Sequence, residues 1–264
     1  MRVSVIICSI DDAKLASATT NYRERLSGVA HEIVAIRDAR SLAEAYNRAA
    51  EAARGELLVF SHDDVEHVRD DFATVLVSSL EAFDVVGAAG ATRCVDAYWP
   101  AAGHPHVHGA CGAPGPSGQV VMGLWGVDAP RIAGVEALDG MFLGARREAW
   151  ARVRFDEAAF DGFHGYDVDF SYRAAKLGLK VGIDNGFLVL HRSAGNYGER
   201  WRHCRNRFLA KHFPGVAVPA PQRPLRMTFP FGSTAELAAQ WDVGQAQALT
   251  AQLRARAAQG LVAP

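Results

Sequence analysis

Residues 55–66 constrain the fold of this chain more than any other stretch. Residues 57–60 are a short apolar run that predicts a buried strand. Adjacent carboxylates, Asp63 and Asp64, follow that run almost directly. Ligands of open α/β sheets bind beyond the carboxyl ends of the strands, so we expect both side chains to project into a ligand crevice. Two such carboxylates suit a hard divalent cation that bridges phosphates, and they are equally compatible with a solvated turn.

Strand and helix patterns alternate along the rest of the chain. The predicted strands are residues 3–8, 32–36, 57–60, 85–89, 119–125, 138–143 (interrupted by an Asp-Gly step) and 186–190. The predicted helices are residues 12–26, 42–53, 70–82, one beginning near 147, 167–177, 199–213 and 234–258. This order predicts an α/β fold whose first half is a Rossmann-like, mainly parallel sheet.

The helix after the second strand has the clearest end signals. Ser41 and Glu44 have the spacing of a capping box, in which each side chain satisfies a free backbone donor. Gly55 is expected to end this helix in a left-handed conformation. The chain then turns directly into the strand at residues 57–60.

The region after the first strand excludes one class of nucleotide site. Residues 9–12 read Ser-Ile-Asp-Asp, where a dinucleotide-binding dehydrogenase would have a GxGxxG loop. The same residues are neither glycine-rich nor basic, as the loop of a sugar nucleotidyltransferase would be. Both classes are therefore disfavoured.

Residues 91–118 are rich in Gly, Pro and His and contain three alternating histidines, His104, His106 and His108. On a strand these side chains would share one face and could bind a metal. No acidic or cysteine partner lies near them in the sequence. We therefore predict a mobile loop near the entrance for an acceptor.

Composition narrows the class of protein. Hydrophobic residues make up 49% and charged residues 22% of the 264 residues, as in globular proteins, and the net charge of -1 gives no reason to expect nucleic acid as a partner. Four widely spaced cysteines form no CxxC pair and fit a reducing compartment. The sequence shows no signal peptide and no apolar run of transmembrane length. It therefore predicts a soluble, cytoplasmic protein, and it leaves peripheral membrane contact and a homo-oligomer open.

A second acidic stretch lies at residues 163–173. Asp167 is predicted to open a helix that Gly178 ends. The helix dipole favours an acidic residue at this place, so Asp167 could serve as a cap alone or as a reactive carboxylate. Asp169, two residues further on, should face away from it.

Four segments, taken in order, resemble the family 2 glycosyltransferases of the GT-A fold. The resemblance covers residues 1 to about 215. It predicts a GT-A domain at residues 1–215 and a C-terminal extension at residues 216–264, with a proline-rich extended part (219–230) and a helix. The matching segments are the strand at 3–7; residues 32–34 through 44–47 to 55–60; the acidic cluster 62–64; and residues 165–170 with Arg173.

The resemblance implies roles for individual residues. Asp64, the last acid of the DxD-like motif, would hold a divalent metal that bridges the donor's diphosphate, and His191 would complete the metal coordination. Asp167 would be the general base that accepts the proton of the acceptor hydroxyl, with Asp169 as second choice. The other implied contacts are donor contacts at Ser9, Asp38, Asn47, His62 and Asp63, and acceptor or sugar contacts at Asp139, Gly140 and Asp169.

Two positions depart from the family pattern. His62 replaces the first acid of the DxD motif, and Arg37 stands where an aspartate often contacts the donor base, with Asp38 one residue late. The implied function is an inverting glycosyltransferase of surface or cell-wall glycan synthesis, which uses Mn²⁺ or Mg²⁺, a nucleotide-diphosphate sugar and a glycan or lipid-linked acceptor. The alternatives are a catalytically degenerate nucleotide-sugar-binding or interaction domain and, second, a sugar nucleotidyltransferase.

Overall fold

A computed structural model describes residues 1–193, 195–216 and 225–259, and within these ranges the chain forms fourteen strands and eight helices. The strands are β1 (Val3–Cys8), β2 (His31–Ile36), β3 (Leu57–Ser61), β4 (Val65–His67), β5 (Val85–Gly87), β6 (Ala89–Ala91), β7 (Val107–Pro114), β8 (Val120–Gly126), β9 (Arg131–Ala133), β10 (Ala137–Leu138), β11 (Phe142–Arg146), β12 (Val181–Asp184), β13 (Val189–His191) and β14 (Met227–Phe231). The helices are α1 (Asp12–Arg25), α2 (Leu42–Ala52), α3 (Phe72–Ala82), α4 (Arg147–Val153), α5 (Tyr166–Lys176), α6 (Glu199–His212), α7 (Thr234–Gln240) and α8 (Val243–Ala258).

The first sheet has the strand order β2-β1-β3-β11-β5-β12-β9. β1 pairs in parallel with both β2 and β3, and β3 is buried along its whole length. β11 is antiparallel to both of its neighbours, because the chain enters it at the carboxyl end of β3, where Phe142 pairs with Ser61. The α/β class and the mainly parallel sheet are confirmed: β2, β1, β3, β5 and β12 run in one direction, and β11 and β9 run against them.

The second sheet has the order β10-β6-β7-β13-β4, and β8 and β14 continue it beyond β7. The predicted strand at 85–89 is divided, since it supplies β5 to the first sheet and β6 to the second. The predicted strand at 186–190 corresponds to β13, and β12, which precedes it, was not predicted. The predicted loop at residues 91–118 is also wrong in part, because it contains β7, in which His108 pairs with Gly90.

The ends of α2 correct two details of the helix prediction. Ser41 Oγ accepts a hydrogen bond from the backbone N–H of Glu44 at 3.1 Å, as predicted. The Glu44 carboxylate instead accepts from Arg48 Nε at 2.8 Å. Gly55 has no left-handed conformation, since the helix ends in extended backbone at Ala53. A Cβ at Gly55 would lie 2.5 Å from the Ser4 nitrogen, so close approach to β1 is what requires glycine there.

The C-terminal part packs on the second sheet. β14 pairs with β8, and Leu237 of α7 is fully buried in a small hydrophobic cluster that includes Met122 and Leu190. The predicted single helix at 234–258 is divided into α7 and α8 at Trp241. Of the predicted extended segment at 219–230, residues 219–224 lie outside the described residues, and the remainder forms mostly β14. None of the described helices combines the length and apolar character needed to cross a bilayer.

Candidate active site

A cleft of about 460 Å³ opens where β1, β2 and β3 end. Because these three strands are parallel, the residues that follow them meet at one edge of the sheet. They form one wall of the cleft: Cys8, Ser9, Ile10, Ile36, Arg37, Ala39, His62, Asp63 and Asp64. The opposite wall comes from the link between β10 and β11, the start of α5, and aromatic side chains near α6.

Asp64 and His191 lie together because β4 and β13 are paired. His191, the last residue of β13, pairs with Val65, the first residue of β4, so Asp64 lies beside it. Asp64 Oδ1 is 3.3 Å from His191 Nε2. His62 Nδ1 is also 3.3 Å from His191 Nε2, and the three donor atoms all lie within 4.8 Å of one another.

These three side chains fit a metal ion. His191 Nε2 has three polar neighbours within 3.3 Å: Asp64 Oδ1, His62 Nδ1 and, at 3.1 Å, Ser193 Oγ. A ring nitrogen offers one hydrogen or one lone pair in the ring plane and cannot satisfy three partners. A cation among the donors would use the lone pairs of both rings and a carboxylate oxygen at once. The His62–Asp64–His191 set is therefore a candidate metal centre.

Charge interactions within the metal centre support an ionised Asp64. Burial opposes ionisation, but the hydrogen bond from His191 and the charge of that ring hold the pKa of Asp64 well below its usual range. Burial likewise opposes a charged His191, and the Asp64 carboxylate reverses this and raises the pKa of the imidazole. Asp64 is therefore an anion at neutral pH, as a metal ligand must be.

Asp167 lies in the first turn of α5 on the opposite wall. The N-cap of α5 is Gly165, which has a φ of 78° and no capping side chain, so Asp167 does not cap this helix. Its Oδ2 instead accepts a hydrogen bond from the Gly140 N–H at 2.8 Å. A Cβ at Gly140 would lie 2.7 Å from the Asp167 Cβ and 2.5 Å from the Tyr166 hydroxyl. Glycine at this position is what allows Asp167 to approach.

The environment of Asp167 makes it a base near neutral pH. Burial disfavours the charged form, and the nearby Asp139 carboxylate adds repulsion, so the pKa of Asp167 rises to about 7. Asp139 is itself held in place by hydrogen bonds from Trp99 Nε1 at 2.8 Å and from the Met141 N–H at 2.9 Å. The cleft thus places one fixed carboxylate beside one that can exchange a proton.

Other predicted residues also line the cleft. Ser9, at the end of β1, donates a hydrogen bond from Oγ to Asp63 Oδ2 at 2.6 Å, which joins two of the predicted donor contacts. Asp139 and Gly140, the predicted sugar or acceptor segment, lie beside His62 because the His62 N–H bonds to the Met141 carbonyl at 3.0 Å.

Three predicted site residues lie elsewhere, and the predictions for them are corrected. Asn47 is buried away from the cleft, where its side chain binds the backbone N–H and C=O of Phe155. Asp38 is exposed and paired with Arg48, while its neighbour Arg37 lines the cleft instead. The side chains of Asn47 and Asp38 therefore already have partners within the protein.

Asp169 is the third of these residues. Its carboxylate is fully buried and accepts from Arg173 Nε at 2.7 Å, from Lys211 Nζ at 2.5 Å and from His212 Nε2 at 2.7 Å. It joins α5 to α6 and faces away from the cleft, as two residues along a helix require. Asp169 is therefore a structural carboxylate and neither a sugar contact nor the second choice of base.

The sequence analysis missed Tyr166 and an aromatic wall. Tyr166 Oη lies 2.9 Å from His62 Nε2, between the metal centre and Asp167. Tyr98, Tyr197 and Trp201 pack edge to face, with ring centroids 5.3–6.2 Å apart, and all three line the cleft. Aromatic residues in a polar segment were the available signal, since large rings in such places often mark binding surfaces.

The fold resembles that of a known glycosyltransferase. The mannosyltransferase PcManGT from Pyrobaculum calidifontis, solved in complex with GDP-Man and Mn²⁺, has a TM-score of 0.51 and 15% identity, and the match covers 97% of this chain and 75% of that one. GalNAc-T7, solved with UDP, GalNAc and Mn²⁺, has a TM-score of 0.47 and 12% identity over 79% of this chain and 47% of that one. A search of curated protein sequences gave no match.

The first of these likenesses shows a shared fold, and the architecture of this chain is the GT-A fold. Matching by sequence agrees with it. The sequence model described as the glycosyltransferase-like family matches residues 4–212, which is most of the chain, and the protein therefore belongs to that family.

Proposed function

We propose that this protein is an inverting, metal-dependent glycosyltransferase that moves a sugar from a nucleotide-diphosphate donor to a hydroxyl group of an acceptor. The observation that carries the proposal is that one cleft holds both the His62–Asp64–His191 donor set and the Asp167 carboxylate. The similar fold of a mannosyltransferase solved with GDP-Man and Mn²⁺ supports it. We propose surface or cell-wall glycan synthesis as its setting, from the family resemblance.

The metal side of the cleft would bind the donor. Asp64, His191 and His62 would hold a divalent cation, which supplies positive charge where the diphosphate leaves. Asp63, oriented by Ser9, adds to the acidic edge of the cation site. The apolar side chains of Cys8, Ile36 and Leu42 also line the cleft, and the nucleobase of the donor would pack against them.

Asp167 would accept the proton of the acceptor. The acceptor oxygen forms a bond to the anomeric carbon, the bond from that carbon to the diphosphate oxygen breaks, and the leaving group keeps the electron pair. The hydroxyl proton passes to Asp167, whose orientation is fixed by the Gly140 N–H. Attack from the face opposite the diphosphate inverts the anomeric configuration.

The aromatic wall would hold the acceptor. Tyr98, Tyr197 and Trp201 combine apolar ring faces with polar edges, as the C–H faces and hydroxyl groups of a sugar require. Asp139 and Asp167 are close enough that, after burial, their charges help to raise the pKa of the Tyr197 phenol to about 12. The wall is therefore near the proposed base.

Donor binding and turnover test the proposal. Purified protein is screened by thermal shift against nucleotide sugars, GDP-Man first, with and without Mn²⁺, since a ligand that binds the folded state raises the melting temperature. We expect one donor to stabilise the protein only with metal, and to release nucleoside diphosphate slowly through hydrolysis. Stabilisation without any release or transfer would favour the degenerate binding domain, and no stabilisation by any donor would reject the proposal.

A further inference from the structure

We propose that His62 makes the metal centre selective for a first-row transition-metal ion such as Mn²⁺ over Mg²⁺, and that Tyr166 is the positioning residue that prepares His62 for this role. The inference rests on the proposed metal-dependent function and narrows the cation that this function would use. It concerns a residue at which the chain departs from the acidic motif of the family it resembles.

The donor set argues for a transition metal. His62 Nδ1 and Asp64 Oδ1 both lie near His191 Nε2, so the set offers two imidazole nitrogens and one carboxylate oxygen. Mg²⁺ prefers an all-oxygen octahedral shell and keeps most of its waters, whereas sites with nitrogen donors bind the first-row transition-metal ions, with an affinity that rises from Mn²⁺ to Cu²⁺. Two donors at right angles, each about 2.1 Å from a cation, are about 3 Å apart. Both separations from His191 Nε2 are 3.3 Å, which is close to that value.

The hydrogen bonds of Tyr166 fix which nitrogen of His62 carries the hydrogen. The Tyr166 hydroxyl has one proton and donates it to the Gly140 carbonyl at 3.2 Å, an oxygen that can only accept. Towards His62 Nε2, at 2.9 Å, the hydroxyl must therefore act as acceptor. His62 Nε2 carries the hydrogen, and Nδ1 presents its lone pair to the metal centre. A ligating histidine needs this arrangement.

Tyr166 is itself held firmly. Its ring is buried and packs against Tyr46 at 5.6 Å and Phe155 at 5.9 Å between centroids. Its hydroxyl occupies space that a Cβ at Gly140 would fill. The same glycine binds Asp167 through its N–H, so one residue links the orientation of His62 to that of the proposed base.

The test measures metal binding directly and requires no substrate. Metal-free protein is titrated with Mn²⁺, the free ion is counted by its paramagnetic resonance signal, and Mg²⁺ is then added as competitor. We expect wild-type protein to prefer Mn²⁺ by about tenfold or more. His62→Asp restores an oxygen donor and should reduce that preference by about tenfold, and His62→Ala should lose most Mn²⁺ binding.

Tyr166→Phe tests the positioning role, and Tyr22→Phe is its matched control. Both variants remove a buried hydroxyl that lies beside the Nε2 atom of a histidine, but the partner of Tyr22 is His67, which is not one of the proposed metal ligands. Loss of an outer hydrogen-bond partner typically costs about 10–100-fold in metal affinity. We expect that loss of Mn²⁺ affinity for Tyr166→Phe and no change for Tyr22→Phe, with similar melting temperatures of the metal-free variants.

The outcomes separate this inference from the proposed function. An unchanged ratio of Mn²⁺ to Mg²⁺ affinity in His62→Asp, or equal affinities in the wild type, would overturn the selectivity, and equal Mn²⁺ affinity in the two tyrosine variants would overturn the positioning role. If a nucleotide sugar binds equally well with Mn²⁺ and with Mg²⁺, this inference is wrong and the proposed function still stands. Selective Mn²⁺ binding without binding of any nucleotide sugar rejects the proposed function and leaves this inference standing.

Discussion

At the scale of single residues, two carboxylates in one helix have opposite environments. The Asp167 carboxylate is removed from water, and no described cationic side chain pairs with it. It also lies near the Asp139 carboxylate, so burial and repulsion raise the pKa of Asp167 to about 7. Asp169 is buried more deeply, but Arg173, Lys211 and His212 outweigh the effect of burial and lower its pKa. The first carboxylate can exchange a proton at neutral pH, and the second contributes to stability.

The pair gives a matched test of the proposed base. Asp167→Asn cannot accept a proton, so we expect transfer to fall on the order of 10²–10⁴-fold while donor binding, which depends on Asp64 and His191, is kept. Asp169→Asn removes the charge from a buried ion cluster, which typically lowers the free energy of unfolding by about 3–5 kcal/mol. Transfer rates, donor affinity and urea unfolding are measured for both. Near-normal transfer by Asp167→Asn would refute its role as base.

The raised pKa of Asp167 predicts the pH dependence of transfer. A general base works when deprotonated, so kcat/KM should rise with pH through about 7. His62 and His164 also face the cleft, but burial lowers the pKa of both, so each should titrate below this range. The pKa of His191 is raised, and saturating metal removes its titration because the proposed metal would occupy its lone pair. The profile is recorded from pH 5 to 9 at saturating metal. A rate that is flat across pH 6–8 would contradict the assignment.

The same shift predicts how stability changes with pH. The pKa of Asp167 is about 7 in the folded protein and about 3.9 in an unfolded chain, so folding binds a proton between these values. The contribution of this group to stability is complete below about pH 4 and is lost as pH rises through 7. Asp167→Asn has no such loss. Its melting temperature relative to wild type should therefore increase from pH 4 to pH 8, and thermal unfolding in that range measures it.

The sequence placed some of these side chains and misplaced others for a physical reason. Asp64, His191 and Asp167 lie in one cleft, as predicted, because the residues that end strands and open helices have positions set by the backbone, and their roles stay predictions. Whether the side chains of Asp38 and Asn47 enter the cleft depends instead on their orientation. Asp38 is bound by Arg48, ten residues along the chain, and Asn47 is bound by the backbone of Phe155, 108 residues away. Neither partner can be read from the local sequence.

At the scale of elements, α6 and the segment before β7 are joined by one buried ion pair. Asp96 is 3% exposed, and its two carboxylate oxygens share the Nε–H of Arg205, each 2.8 Å from Nε. Its Oδ2 also accepts from Arg205 Nη2 at 2.5 Å, and its Oδ1 accepts from the N–H of Tyr98 at 3.2 Å. The pair holds Tyr98 beside Trp201, the aromatic residue in the first turn of α6. The aromatic wall is therefore built before any acceptor arrives.

The aromatic wall predicts a selective effect on the acceptor. Trp201→Ala removes a ring face from the cleft, and loss of about 1.4 kcal/mol of contact would raise the acceptor KM about tenfold. Donor hydrolysis without acceptor should not change. Trp241→Ala, at a half-buried tryptophan of the C-terminal cluster, is the control and should leave the acceptor KM unaltered. Steady-state kinetics against acceptor concentration distinguish the two, and equal effects would argue against the wall.

Element positions were predicted well where local signals suffice. β1, α1, β3 and α6 lie within one or two residues of their expected limits, because apolar runs and helix caps are read locally. The mixed pairing of the first sheet and the division of residues 85–91 between two sheets could not be read this way. Both depend on β11 and β7, which come later in the chain.

At the scale of the whole molecule, the C-terminal residues complete the second sheet. We propose that residues 216–264 are an extension of the GT-A domain at 1–215, without a core of their own. β14 pairs with β8, and the Thr250 hydroxyl accepts a hydrogen bond from the Val127 N–H at 3.0 Å. The apolar side chains of α7 and α8 share one cluster with Leu188 and Leu190, next to His191.

This shared cluster predicts that the C-terminal helices stabilise the metal centre. Leu237 is fully buried there, so Leu237→Ala should lower the free energy of unfolding by about 2–5 kcal/mol. Leu253→Ala is the control, because Leu253 is half-buried on α8 and lies outside the cluster among the described residues. Urea unfolding measures both variants, and similar small losses would show that α7 does not support the sheet.

Deletion of residues 233–264 extends the test to the cleft. It exposes Met122 and Leu190, and Leu190 lies directly before the proposed ligand His191 in β13. With its packing lost, β13 should hold His191 less firmly, so Mn²⁺ affinity should fall together with stability, whereas Asp167 and the first sheet keep their own core. Mn²⁺ titration of the shortened protein, below its melting temperature, checks this. Unchanged affinity, solubility and stability would mean that the extension is dispensable for the catalytic domain.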